Sequence, residues 1–127
     1  MLAYATVGVR DFEAALVFYD ALLGALGHVR TGTFPEDGWA GWGREAGGRG
    51  HFYISRPFDG QPASVGNGSM TAFAAEIRTQ VQAAHTVGLA AGGTDEGAPG
   101  PRPHYGVDFY GAYLRDPEGN KLAIVLR

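Results

Sequence analysis

The chain has no cysteine, no long apolar run and no excess of positive charge. Without cysteine there are no disulfides and no thiolate metal ligands, and redox usage says nothing about compartment. No run approaches the roughly 20 apolar residues that cross a bilayer. Residues 1–9 lack the basic start and apolar stretch of a secretory leader, so a soluble cytoplasmic protein without membrane contact is expected. A net charge of −3 and an isoelectric point near 5.7 argue against a nucleic-acid surface. The glycines at 47–50 are not followed by the Lys-Ser/Thr of a phosphate loop. Neither a Gly-x-Ser-x-Gly nucleophile turn nor a His-Glu-x-x-His zinc helix occurs.

What remains is a chain of 127 residues that is 45% hydrophobic, enough for one domain or for two small units sharing a core. Its 21 glycines fall mostly in turns, which suits many short strands. Residues 2–9 are strand-compatible, with Tyr4, Thr6 and Gly8 on one face. Asp11 is a candidate N-cap, and Phe12, Leu16, Tyr19, Leu23 and Leu26 recur at helical spacing. Strands are expected near 28–33, 38–43 and 50–55, with Trp39 and Trp42 on opposite faces of the middle one.

Residues 57–67 read as a Pro/Gly-rich linker between a first unit at 1–56 and a second at 68–127. In the second, the pattern repeats: a strand at 69–76, a helix at 78–91 with His85 on its inner side, and strands near 107–114 and 120–126. Residues 97–106 read as a loop, and the second strand of this unit is weakly signalled. The order β-α-β-β-β, linker, β-α-β-β-β predicts an α+β domain of two curled sheets with a cup for a ligand.

The sharpest motif is Asp116-Pro117-Glu118-Gly119-Asn120 between two strand-like segments. Proline presets the first turn dihedral, glycine supplies a positive φ, and Asp and Asn bond to the backbone. Together with Val7-Gly8-Val9-Arg10-Asp11-Phe12 and Phe18-Tyr19, it resembles the vicinal oxygen chelate superfamily of glyoxalase I, bleomycin-resistance proteins and extradiol dioxygenases. The resemblance spans nearly the whole chain and implies two βαβββ units, commonly paired as a homodimer. It also implies metal ligands on the first and last strands of each unit. Here the first His of that pattern falls at Tyr4, the His of Gly-x-His-x-x-Phe at Met70, and the Glu after the turn at Ala123. The remaining ligand falls near Phe52 or Tyr53, beside His51.

A transition metal needs about three donors from His, carboxylate or thiolate. Tyr4, Met70 and Ala123 do not supply them, so no metal and no other cofactor is expected. As plain strand residues they fit a packed or cup-lining role, and they make an apolar floor with one hydroxyl. His51, Tyr53 and Ser55 share one face of their strand, which points either into the cup or to solvent. The segment Gly100-Pro101-Arg102-Pro103-His104-Tyr105 is a stiff loop, similar to one that rims the cup in several family members. Arg102 offers a fork for a carboxylate or phosphate, His104 a neutral-range acid or base, and Tyr105 a packing ring. A solvated surface loop accounts for the same residues.

Three functions remain. The first is metal-independent binding of an apolar or aromatic small molecule, with Tyr4, His51, Tyr53, Met70, Arg102, His104, Tyr105 and Ala123 lining the site. The second is a metal-independent enzyme acting on a small oxygenated substrate through Tyr4, His51 or His104. The third is a diverged metal-dependent lyase or dioxygenase, which the missing ligands oppose.

Overall fold

The computed structural model describes residues 1–127. The first unit comprises β1 (Ala5–Gly8), α1 (Phe12–Gly24), β2 (Val29–Phe34), β3 (Trp39–Gly43) and β4 (Phe52–Ser55). The second comprises β5 (Thr71–Ala74), α2 (Arg78–Ala90), β6 (Thr94–Pro101), a 3-10 turn at Pro103–Tyr105, β7 (Tyr110–Arg115) and β8 (Lys121–Leu126). Each unit forms one four-stranded mixed sheet, in the orders β1-β4-β3-β2 and β5-β8-β7-β6. The first and last strands of each unit pair in parallel, and the hairpins pair antiparallel. A helix between the first two strands carries the chain across, so the last strand can return beside the first.

Local chemistry sets these elements. The Asp11 carboxylate accepts the Ala14 N–H at 3.1 Å and starts α1. The helical stripe buries Leu16, Phe18, Tyr19, Leu22 and Leu23, and Gly27, at φ +83°, turns the chain out of it. In β4 the alternation places Phe52 and Ile54 in the core and leaves Tyr53 and Ser55 half-buried on the other face. Both helices and the inner faces of both sheets feed one core of 20 buried residues. Trp42 and Ile54 enter it from the first sheet, Leu114 and Ile124 from the second. Each such large side chain contributes about 1.5–3 kcal/mol.

The 116–120 turn also joins the two units. Asn120 Nδ2 donates to the Gly8 carbonyl at 3.2 Å, and Glu118 accepts the backbone N–H groups of Arg10 and Asp11. Tyr19 on α1 donates its phenol hydrogen to buried Asp116 at 2.6 Å.

One expected loop is a strand. Residues 94–101 form β6 at the edge of the second sheet, pairing with β7 through register shifts at Asp95/Gly97 and Gly97/Gly100. Pro99 and Pro101 hide it in the sequence. A proline is tolerated on an edge strand because one side of that strand has no partner needing an N–H. The stretch expected as a strand from residue 69 pairs only from Thr71, which leaves Met70 in the connection.

Candidate ligand site on the open sheet faces

Each sheet turns one face to the helices and leaves the other open. On the first sheet, the open face is aromatic. Phe34 stacks on Trp39 with centroids 4.2 Å apart. Trp39 meets Tyr53 at 5.7 Å, and Tyr53 meets Tyr4 edge-on at 5.4 Å. The row crosses four strands' width because the register sets Phe34 opposite Trp39 and Trp39 opposite Ser55. Glycines make room for it: a Cβ at Gly41 would lie 2.5 Å from Tyr53 Cε1. Thr6 and Ser55 add hydroxyls, and with Tyr4, Trp39 and Tyr53 they line a shallow hollow of about 370 Å³.

The open face of the second sheet has a floor of small residues. Ala72 sits beside Ala123, and Ala123 beside Tyr113. Gly97 pairs with Tyr113, and Gly100 with Gly111. The missing side chains at Gly97 and Gly100 let the Arg102 guanidinium lie across β6: a Cβ at either would fall 3.1–3.4 Å from its nitrogens. That guanidinium donates to the carbonyls of Ala98 and Pro101, at 2.9 and 3.2 Å, and stands over the Tyr113 ring at 5.6 Å. The 3-10 turn follows, with His104 and Tyr105 exposed and their rings 4.1 Å apart.

A third feature lies on the seam between the two units. A cavity of about 230 Å³ there is lined by Tyr4, Trp42, His51, Phe52, Thr71 and Phe73, among others. His28 also lines it, and its buried Nδ1 has no hydrogen-bond partner.

A model of the Glyoxalase/Bleomycin resistance protein/Dioxygenase superfamily matches residues 1–124. The chain belongs to this superfamily. A glyoxalase/bleomycin resistance protein from Albidiferax ferrireducens T118 is 44% identical, with TM-score 0.83 over 98% of this chain and 97% of that one. More distant structures share the fold. A glyoxalase/bleomycin resistance protein/dioxygenase family enzyme from Burkholderia phytofirmans PsJN is 20% identical, with TM-score 0.68 over 98% and 96% of the two chains. A lactoylglutathione lyase from Agrobacterium tumefaciens is 22% identical, with TM-score 0.62 over 96% and 90%. No curated protein matches the chain significantly.

The glyoxalase-superfamily metal position does not fit the residues found here. No group of three or more His, Cys, Asp or Glu side chains is close enough to share an ion. Tyr4 is 60% exposed and packed on Tyr53, Met70 is 48% exposed, and Ala123 has no donor. His51 alone is too few for a transition metal.

The expected site residues separate into groups. Tyr4, His51 and Tyr53 lie together around the first sheet, and the face of Tyr53 is the open one, shared with Tyr4. Arg102, His104 and Tyr105 follow β6 at the edge of the second sheet. Tyr4 and His51 line the same cavity, whereas His104 lines neither it nor the hollow, so the three acid–base candidates form no common constellation. Ala123, expected to line a cup, has no exposed surface. It is packed between Ala72 and Tyr113, so a ligand on this face would meet Tyr113 and exposed Ala72 instead. Phe34, Tyr113 and Lys121 went unmarked in the sequence, and Trp39 was marked only for its strand face. Strand alternation carried the signal: Trp39 lies opposite Trp42, and Lys121 and Ala123 share a period of two.

Proposed function

We propose that the protein binds an apolar or aromatic small molecule against the open face of the first sheet, without a metal. The aromatic row Phe34–Trp39–Tyr53–Tyr4, exposed at its ends and half-buried at its centre, carries this reading. Stacked rings leave flat apolar surface that a planar ligand can cover, while the Thr6 and Ser55 hydroxyls orient its polar edge. Membership of a superfamily that includes bleomycin-resistance proteins supports the same reading. The donor set at the family's metal position opposes the metal-dependent lyase and dioxygenase alternatives. An enzyme would have to work with Tyr4 and His51 at the seam cavity or with His104 alone. The units divide at the 57–67 linker, and two copies of the chain pair as a homodimer through their outer strands.

The two tryptophans give a direct test. Trp39 lies on the proposed site and Trp42 is buried in the core. Planar aromatic compounds such as naphthols should quench the fluorescence of the parent protein and of Trp42→Phe. They should leave the signal of Trp39→Phe little changed. Ser55→Trp, which fills the hollow, should abolish binding while the unfolding midpoint holds. Equal affinity of every hit for the parent and for Ser55→Trp would end this reading.

A further inference from the structure

The open face of the second sheet holds more positive charge than the chain neutralises. Arg115 and Lys121 are directly opposite one another on β7 and β8, a like-charge pair that costs stability. Arg102 adds a third cation on the far side of Tyr113 from β8. Only one carboxylate answers them: Glu96 accepts from Arg115 Nε at 2.6 Å. Asp95, the other acid of β6, is engaged with His85 at 2.9 Å and with the Gly97 N–H at 3.0 Å. Arg102 and Lys121 make no ion pair within the chain. Both stand on the Tyr113 ring, with their charged atoms 5.6 and 6.0 Å from its centre. The Tyr113 hydroxyl makes no hydrogen bond to any group of the chain.

We propose that Arg102 beside Tyr113 forms a subsite for the oxyanion of a small molecule, a carboxylate or phosphate group, with Lys121 across the ring adding its positive field. The donors are of suitable kind: the free N–H groups of a guanidinium and a phenol O–H, with an ammonium charge nearby. The guanidinium is held in place before binding by its bonds to Ala98 and Pro101, which lowers the ordering cost. Bare glycines at 97 and 100 keep side chains out of its way. An anion there relieves the repulsion between Lys121 and its cationic neighbours. The ring of Tyr113 and the exposed Ala72 give an attached apolar body somewhere to rest. The inference shares with the proposed function the premise that the open faces serve small molecules, and it assigns the charge of the ligand.

Inorganic phosphate, titrated at constant ionic strength and followed by amide NMR shifts, tests the subsite without the aromatic ligand. Saturable shifts are expected at Gly97, Gly100 and Tyr113. Arg102→Gln should weaken phosphate about tenfold, since it removes a charge-assisted hydrogen bond, and Lys121→Gln about threefold through the lost charge. Tyr113→Phe should weaken it less. Arg115→Gln is the control: Glu96 already neutralises Arg115, so affinity should stay within about twofold. Shifts that grow linearly without saturating, or an Arg115→Gln loss as large as that of Arg102→Gln, would overturn the subsite. Spectra of the variants that keep the parent's dispersion exclude unfolding as the cause. Phosphate binding without aromatic binding would leave the subsite standing and sink the proposed function. The reverse result would do the opposite.

Discussion

Asp116 accepts four hydrogen bonds: from Tyr19 Oη, Glu118 N, Asn120 N and Asn120 Nδ2. Burial, and then the Asp116 charge, raise the Tyr19 pKa well above its ordinary value, so the phenol remains a donor. Tyr19→Phe should therefore cost about 1.5–3 kcal/mol, the range for a bond to a charged group, read from urea unfolding at neutral pH. The turn was legible from its five residues. Its second role was not, because Tyr19 lies 97 positions away in sequence and counts there as one member of an apolar stripe and of the Phe18-Tyr19 pair, with no sign of its partner. Asp20 shows a similar gap. Burial pushes its pKa up, but hydrogen bonds from Arg30 and Trp42 outweigh this and hold it below the usual carboxylate range. A depressed folded pKa gives stability that is present above the unfolded value of about 4 and is lost as pH falls through the folded one. Asp20→Asn should flatten the acid limb of a stability–pH profile relative to the parent, and an unchanged slope below about pH 4 would contradict this assignment.

Elements were legible where period and punctuation agreed. The α1 stripe has a cap at one end and glycines at the other, and β7 and β8 flank a turn with fixed chemistry. β6 carries neither signal: its two prolines argue against a strand, and its bulges break the alternation. It is also the outer strand of its sheet, so its amides should exchange with solvent faster than those of β7, which is paired on both sides. Hydrogen exchange followed by NMR measures this directly, and equal protection along β6 and β7 would refute it. Between the units, α2 approaches α1 and β7 closely at Gly88. A Cβ there would lie 2.7 Å from Leu114 Cδ1 and 2.9 Å from Leu22 Cδ1. Gly88→Val should overpack this contact and cost roughly 1–3 kcal/mol, visible as a lower unfolding midpoint.

For the whole molecule, sequence pattern was enough for the repeat, because each unit must bury one sheet face against its own helix. It was not enough for the site, because strand alternation alone left open which face of β4 looks outward and said nothing of how rings from separate strands line up. The aromatic wall and the cationic wall belong to different sheets, and neither the hollow nor the seam cavity reaches Ala123. The chain has four outer strands, β1, β2, β5 and β6, and an open face with Tyr4 60% and Phe34 45% exposed. Such edges and apolar faces are commonly covered by a second copy. The protein should sediment at micromolar concentration as a species of twice the 13.4 kDa chain mass. Phe34→Glu places a charge on the aromatic row without touching the core, so it should weaken pairing at least tenfold if the partner covers that face. A monomer at high micromolar concentration would rule out the dimer. A dimer indifferent to Phe34→Glu would pair through other surfaces and leave the aromatic row free for the ligand alone.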